Sequence, residues 1–243
     1  MKTAILLAAL ALAALPGTGA MADPLRIGTE GAYPPFNFIN EAGELDGLEK
    51  EFGDELCKRL EADCVWVVND WDSMIPNLAS GNYDLIIASM SITEEREKAI
   101  DFTRNYLPAD PSAFAALAGA GAGVMTGKVA AQTSTTHAGY IAASEAVLVE
   151  FPSPDETIAA VRNGQVDAVF ADKNFLTEAV ETSGGELVFV GDEVTLGRGA
   201  GIGVRKSDAA LKEKVDAVVE TMRTDGSINA MIDTWLGPKA TKF

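Results

Sequence analysis

Short apolar runs alternate along this chain with longer segments in which apolar residues recur every three to four positions. The runs 25–29, 65–68, 84–89, 128–132, 147–151, 167–171, 187–190 and 201–204 read as strands. The segments 49–61, 72–80, 136–144, 154–163, 174–182, 208–224 and 228–235 read as helices. In the first of these helices Phe52, Leu56 and Leu60 form one apolar stripe, and Gly237-Pro238 stops the last. Strands alternating with helices predict an α/β fold of mainly parallel sheets flanked by helices.

One phrase occurs twice. Residues 75–87 (IPNLASGNYDLII) and 158–170 (IAAVRNGQVDAVF) each run as helix, Gly turn, Asp and buried strand. Two copies imply two lobes of like architecture and not a solenoid. The segments joining them are Tyr106 to Ser112, punctuated by Pro108 and Pro111, and Gly197 to Gly203, with glycine at every second position. A phosphate-binding glycine loop needs a helix directly after it. Here Ile202 and Val204 continue as a strand, so a crossing between lobes fits better.

The first 22 residues stand apart. Lys2, an apolar stretch from Ala4 to Leu15 and the small-residue site Ala20-Met21-Ala22 read as a secretory signal peptide cleaved before Asp23. No cysteine lies near that site for lipid attachment. The net charge of −17 argues against nucleic acid and anionic lipid as partners. The only cysteines, Cys57 and Cys64, fall near the end of one helix and the start of the next strand. A secreted context favours a disulfide between them. With a single histidine beside them, neither a metal site nor a cofactor is expected.

Several segments carry a resemblance to a known family. They are Gly28 to Phe38 (GTEGAYPPFNF), Trp71 to Pro76 (WDSMIP), Asp84 to Arg96 (DLIIASMSITEER), Thr135-Thr136 and Val166 to Asp172 (VDAVFAD). These resemble the periplasmic polar amino-acid-binding proteins of ABC transporters, particularly those for lysine, arginine, ornithine, histidine and the opines. The spacing of Cys57 and Cys64 is also that of the basic-amino-acid members. The resemblance implies a two-lobe, Venus-flytrap fold with two crossover strands as hinge. The lobes would divide as residues 23–109 and 197–243 for the first and 110–196 for the second. It implies a periplasmic protein that captures an amino acid and delivers it to a membrane permease; a monomer is expected, because transport requires a free cleft and a mobile hinge.

The residues in those segments suit such a ligand. Arg96 follows a strand end and a short polar turn, where a guanidinium can hold a carboxylate through two parallel hydrogen bonds. Ser89 and Ser91, alternating with Met90, stand at the carboxyl end of a strand, where ligands of open α/β sheets sit. Asp172 would accept from an α-ammonium, or cap the following helix. Thr135 and Thr136 stand where a helix opens, and Thr136 suits the carboxylate or a simple cap. Tyr33 and Trp71 would form aromatic walls against an aliphatic stem or a planar guanidinium. Glu30 stands where members for basic amino acids often have Asp, so it would pair with a distal cation, arginine first. His137 replaces a common Gln and would make affinity pH-dependent, or lie on the surface. Ala88 stands where some members have Ser, which removes one side-chain hydrogen bond. The alternatives are a periplasmic dehydratase on the same scaffold, with Glu30 as acid, and a sensor acting through a separate receptor.

Overall fold

The computed structural model describes residues 23–243, so the expected signal peptide lies outside the described residues. The chain opens with β1 (Leu25–Thr29), a small meander of β2 (Ala32–Tyr33), β3 (Asn37–Ile39) and β4 (Leu45–Asp46), and α1 (Leu48–Arg59). Next come β5 (Cys64–Val68), a 3-10 turn at Trp71–Ser73, α2 (Met74–Ala79), β6 (Leu85–Ile86), α3 (Glu94–Ala99) and β7 (Asp101–Leu107). The middle of the chain holds β8 (Pro111–Leu117), a 3-10 turn at Ala122–Thr126, β9 (Lys128–Gln132), α4 (Thr136–Ala142) and β10 (Val147–Phe151). It continues with α5 (Pro154–Arg162), β11 (Ala168–Asp172), α6 (Lys173–Glu181) and β12 (Leu187–Thr195). Finally β13 (Ala200–Val204), α7 (Ala209–Thr224) and α8 (Ser227–Leu236) return to the first sheet and to α1.

Among the described residues the strands form two five-stranded sheets, in the orders β5-β1-β6-β13-β7 and β10-β9-β11-β8-β12, beside the small meander. In each large sheet four strands run one way and one runs against them: β13 in the first, β8 in the second. Chain path explains the odd strand. β7 leaves the first sheet at its carboxyl end and the chain enters the second through β8; β12 returns it through β13. A strand that begins where its neighbours end must run against them. Both crossings therefore lie at the carboxyl ends of the other strands, the edge where open α/β sheets bind ligands.

The repeated phrase has one local cause in both lobes. Asp84 accepts the backbone N–H of Arg26 at 3.0 Å through Oδ2, and its own N–H reaches Arg26 O. Asp167 does the same with Lys128, accepting its N–H at 2.7 Å and donating back to its carbonyl. Each Asp thus sets the register of a buried strand against its parallel neighbour, β6 against β1 and β11 against β9. Gly28 on β1 serves the same packing, because a Cβ there would sit 2.6 Å from the Tyr83 ring.

Leu48, Phe52 and Leu56 on α1 are 0–1% exposed and join Ile27, Leu85, Val215 and Ile232 in the core. Cys57 on α1 is bonded to Cys64 at the head of β5, with Cα atoms 6.2 Å apart. The loop it closes is short, so replacing both cysteines by serine is expected to cost about 2 kcal/mol of stability in urea denaturation, with ligand affinity unchanged.

Three sequence expectations need correction. The segment 84–89 is a strand only at Leu85–Ile86, because Ser89 takes a left-handed backbone (φ 48). The segment from Tyr106 to Ser112 is mostly strand: β7 runs to Leu107 and Pro111 already begins β8. Proline is tolerated there because a first strand residue needs no ladder N–H. The strand at 187–190 extends to Thr195 through an irregularity between Val190 and Val194.

Candidate functional site

Residues from the carboxyl ends of β1, β5, β6, β9 and β11 meet in a cleft between the two sheets, which encloses about 500 Å³ including the part open to solvent. Glu30, Tyr33, Trp71, Ala88, Ser89, Ser91 and Arg96 come from the first lobe, and Thr135, Thr136, His137 and Asp172 from the second.

Arg96 sits on α3, whose N-terminus is capped by Thr93 accepting from Arg96 N at 3.2 Å. Its guanidinium donates to Ser91 O (2.9 Å) and to Ser134 O of the other lobe (3.2 Å), and lies 5.2 Å from the Trp71 ring centroid. Ser134 presents that carbonyl from a left-handed backbone (φ 58). Among the described residues no carboxylate forms a salt bridge with Arg96. Burial lowers its pKa to about 10, with Asp172 pulling weakly the other way. Trp71 is therefore both core, packed with Met74 and Leu78, and the floor under this cation.

Asp172 stands just before α6, but its side chain does not cap that helix. It accepts from Tyr33 Oη at 2.9 Å and lies 3.4 Å from His137 Nε2. Burial raises the Asp172 pKa; the neighbouring His137, the bond from Tyr33 and the charge of Arg96 outweigh it, so the carboxyl sits below its usual range. His137 is only 7% exposed, which overturns the surface placement, and its Nε2 also lies 3.0 Å from Ser112 Oγ. Tyr33 bridges the lobes a second way, stacked on Phe175 at 4.4 Å.

The cap of α4 is Thr135 and not Thr136. Thr135 Oγ1 accepts from Ala138 N (3.1 Å) and donates to Gln132 O (2.6 Å), so this hydroxyl is occupied. The Thr136 hydroxyl makes no hydrogen bond among the described residues. Met90 does not line the cleft. It is 1% exposed and packs with Trp71, Met74 and Ile100, on the side away from the cleft that its neighbours Ser89 and Ser91 line.

Glu30 lines the same cleft as Arg96. Its Oε1 accepts from Gln132 Nε2 at 2.6 Å, and among the described residues it has no cationic partner. Burial raises its pKa to about 7; the Gln132 bond lowers it, and the charges of Glu49, Asp70 and Asp155 raise it further. Gln132, Thr157, Phe170 and Phe175, which the sequence marks only as helix or strand residues, also line the cleft. The polar side chain at the carboxyl end of β9 was the one available signal for Gln132.

A family model of the bacterial extracellular solute-binding proteins, family 3, matches residues 25–238. The chain belongs to that family. An L-arginine-binding protein of Pseudomonas aeruginosa is 36% identical over 97% of this chain and 96% of its own length. A lysine/arginine/ornithine-binding periplasmic protein of Escherichia coli is 30% identical over 87% of each. Among solved structures, a periplasmic His/Glu/Gln/Arg/opine family-binding protein from Silicibacter pomeroyi, in complex with lysine, is 60% identical. It superposes with a TM-score of 0.87 over 90% of this chain and 100% of its own. This family-3 protein is thus an extracellular-type solute-binding protein and not an enzyme, which sets the dehydratase alternative aside.

Proposed function

We propose that this family-3 protein captures a basic amino acid, arginine first, outside the cytoplasmic membrane and hands it to an ABC-transporter permease as a monomer. The observation that carries the ligand class is the half-buried Glu30 carboxylate without a cation among the described residues, in the same cleft as Arg96 without an anion. An arginine zwitterion bears a carboxylate, an ammonium and a distal guanidinium. Arg96 would take the carboxylate, Asp172 the ammonium, and Glu30 with Gln132 the guanidinium. Removing three charges from water is costly unless each finds a partner, and this ligand supplies all three. A guanidinium has five N–H donors, so Gln132 Oε1 would add an acceptor beside the Glu30 carboxylate.

The contacts across the cleft, Arg96 to Ser134, Tyr33 to Asp172 and Gln132 to Glu30, join residues 30–96 to residues 132–172. A ligand held by both sets favours the closed arrangement in proportion to its differential affinity. The crossings at 108–110 and 196–199 would serve as the hinge, with lobes of residues 23–109 plus 197–243 and 110–196. The relatives named as periplasmic support export through the expected signal peptide. Calorimetric titration of ligand-stripped protein with arginine, lysine, ornithine, histidine, glutamine and octopine tests the reading. Basic ligands are expected to bind tightest; binding of neutral or acidic ligands alone would overturn it.

A further inference from the structure

Glu49 on α1 is 0% exposed, yet it carries a carboxylate with no cation beside it among the described residues. Four neutral groups point at it. Ser89 N donates to Oε1 at 2.6 Å and Ser89 Oγ to the same oxygen at 3.0 Å. Tyr106 Oη donates to Oε1 as well, and Asn37 Nδ2 donates to Oε2 at 2.6 Å. Asn37 in turn accepts from Gly31 N at 2.7 Å through Oδ1. One buried acid therefore ties together the turn that carries Glu30, the left-handed residue Ser89 and a tyrosine next to the first crossing.

We propose that Glu49 is a positioning residue that fixes the polarity of Ser89 in the ligand cleft. A serine with φ near +48° is strained, and its N–H, donating to the buried Glu49 carboxylate at 2.6 Å and more weakly to Tyr106 Oη at 3.2 Å, is what holds it there. The hydroxyl's single proton is committed to Glu49, so toward the cleft Ser89 Oγ can only accept. That makes Ser89 a partner for the ligand's α-ammonium and not for its carboxylate. The placement agrees, since Ser89 and Asp172 also border one adjoining space beside Leu107, Pro108 and Asp110. The ammonium assignment rests on the basic amino-acid reading above; the hold on Ser89 does not.

Glutamine cannot replace this acid. Both carboxylate oxygens receive an N–H, and an amide has one oxygen. Whichever way it turns, an NH2 group faces Ser89 N or Asn37 Nδ2; if Asn37 flips to comply, Gly31 N loses its acceptor. The test combines amide hydrogen exchange by NMR on ligand-free protein with calorimetric arginine affinity, in wild type and Glu49→Gln. Exchange at Ser89 is expected to rise about 100-fold. The Ile87 amide, bonded to Gly28 O at 3.0 Å, stays protected. Arginine affinity is expected to fall about 10- to 100-fold. Should Glu49→Gln not fold, Glu49→Asp withdraws the carboxylate by one methylene and carries the same two readouts. A Ser89 amide that keeps its protection, or an arginine affinity within about twofold of wild type, would overturn the proposal. A wild-type protein that binds no basic amino acid would sink the ligand reading alone, and exchange at Ser89 would still decide what Glu49 holds.

Discussion

Arg96→Ala is expected to reduce arginine affinity by about 3–5 kcal/mol, roughly 100- to 5,000-fold, because it leaves a ligand carboxylate buried without a cation. Among the described residues no other basic side chain lines the cleft apart from His137, which is already engaged with Asp172 and Ser112. The ligand-free protein is expected to melt within a few degrees of wild type. Arg96 is itself a half-buried cation with no salt bridge among the described residues, its pKa lowered to about 10 by desolvation, so the fold gives up little with it. Calorimetry and thermal denaturation on the same samples separate the two effects. Arg96→Lys keeps the charge but not the fork of donors, and is expected to fall between the two. A melting temperature that drops in step with affinity would mean that Arg96 supports the lobes and does not bind the ligand.

Glu30→Gln is expected to lower arginine affinity about 100-fold while leaving a neutral ligand such as glutamine within about threefold. The amide still fits beside Gln132, so shape changes little and charge alone is removed. The same substitution is expected to flatten a pH profile. In the ligand-free protein the Glu30 carboxyl holds its proton up to about pH 7, chiefly through burial. A cation beside it favours the ionised form and draws that pKa down, so binding releases a proton at acidic pH. Arginine affinity therefore rises with pH, by up to about tenfold per unit below pH 7, and levels off above it. Titrations between pH 5.5 and 8.5 check the slope. A slope that survives Glu30→Gln would assign the proton to another group.

Periodicity made most of the fold legible because its helices carry continuous apolar stripes and its inner strands are apolar throughout. The doubled phrase revealed two lobes because the same Asp-to-backbone contact is used in each, at Asp84 and Asp167. The strands β7 and β8 escaped notice, since Pro108 and Pro111 mask an extended chain that breaks only for three residues. The two- and three-residue strands β2, β3 and β4 carry too short a pattern to recognise. Charged ligand contacts such as Arg96 and Asp172 announce themselves by residue type at strand ends. The role of Glu49 does not, because in sequence it is a first-turn helix acid like Glu51. What separates them is long-range: Asn37, Ser89 and Tyr106, its partners, lie 12, 40 and 57 residues away. Met90 could have been excluded from the sequence, since a residue between two cleft-facing serines points the other way, into the core.

The matching of three half-buried charges to one ligand is tested most directly by a crystal structure of the mature protein with arginine. The account predicts the guanidinium within hydrogen-bond distance of Glu30 and Gln132, the carboxylate on Arg96 and the ammonium on Asp172. A guanidinium turned away from Glu30 toward solvent, or an arginine bound in the reverse orientation, would contradict it.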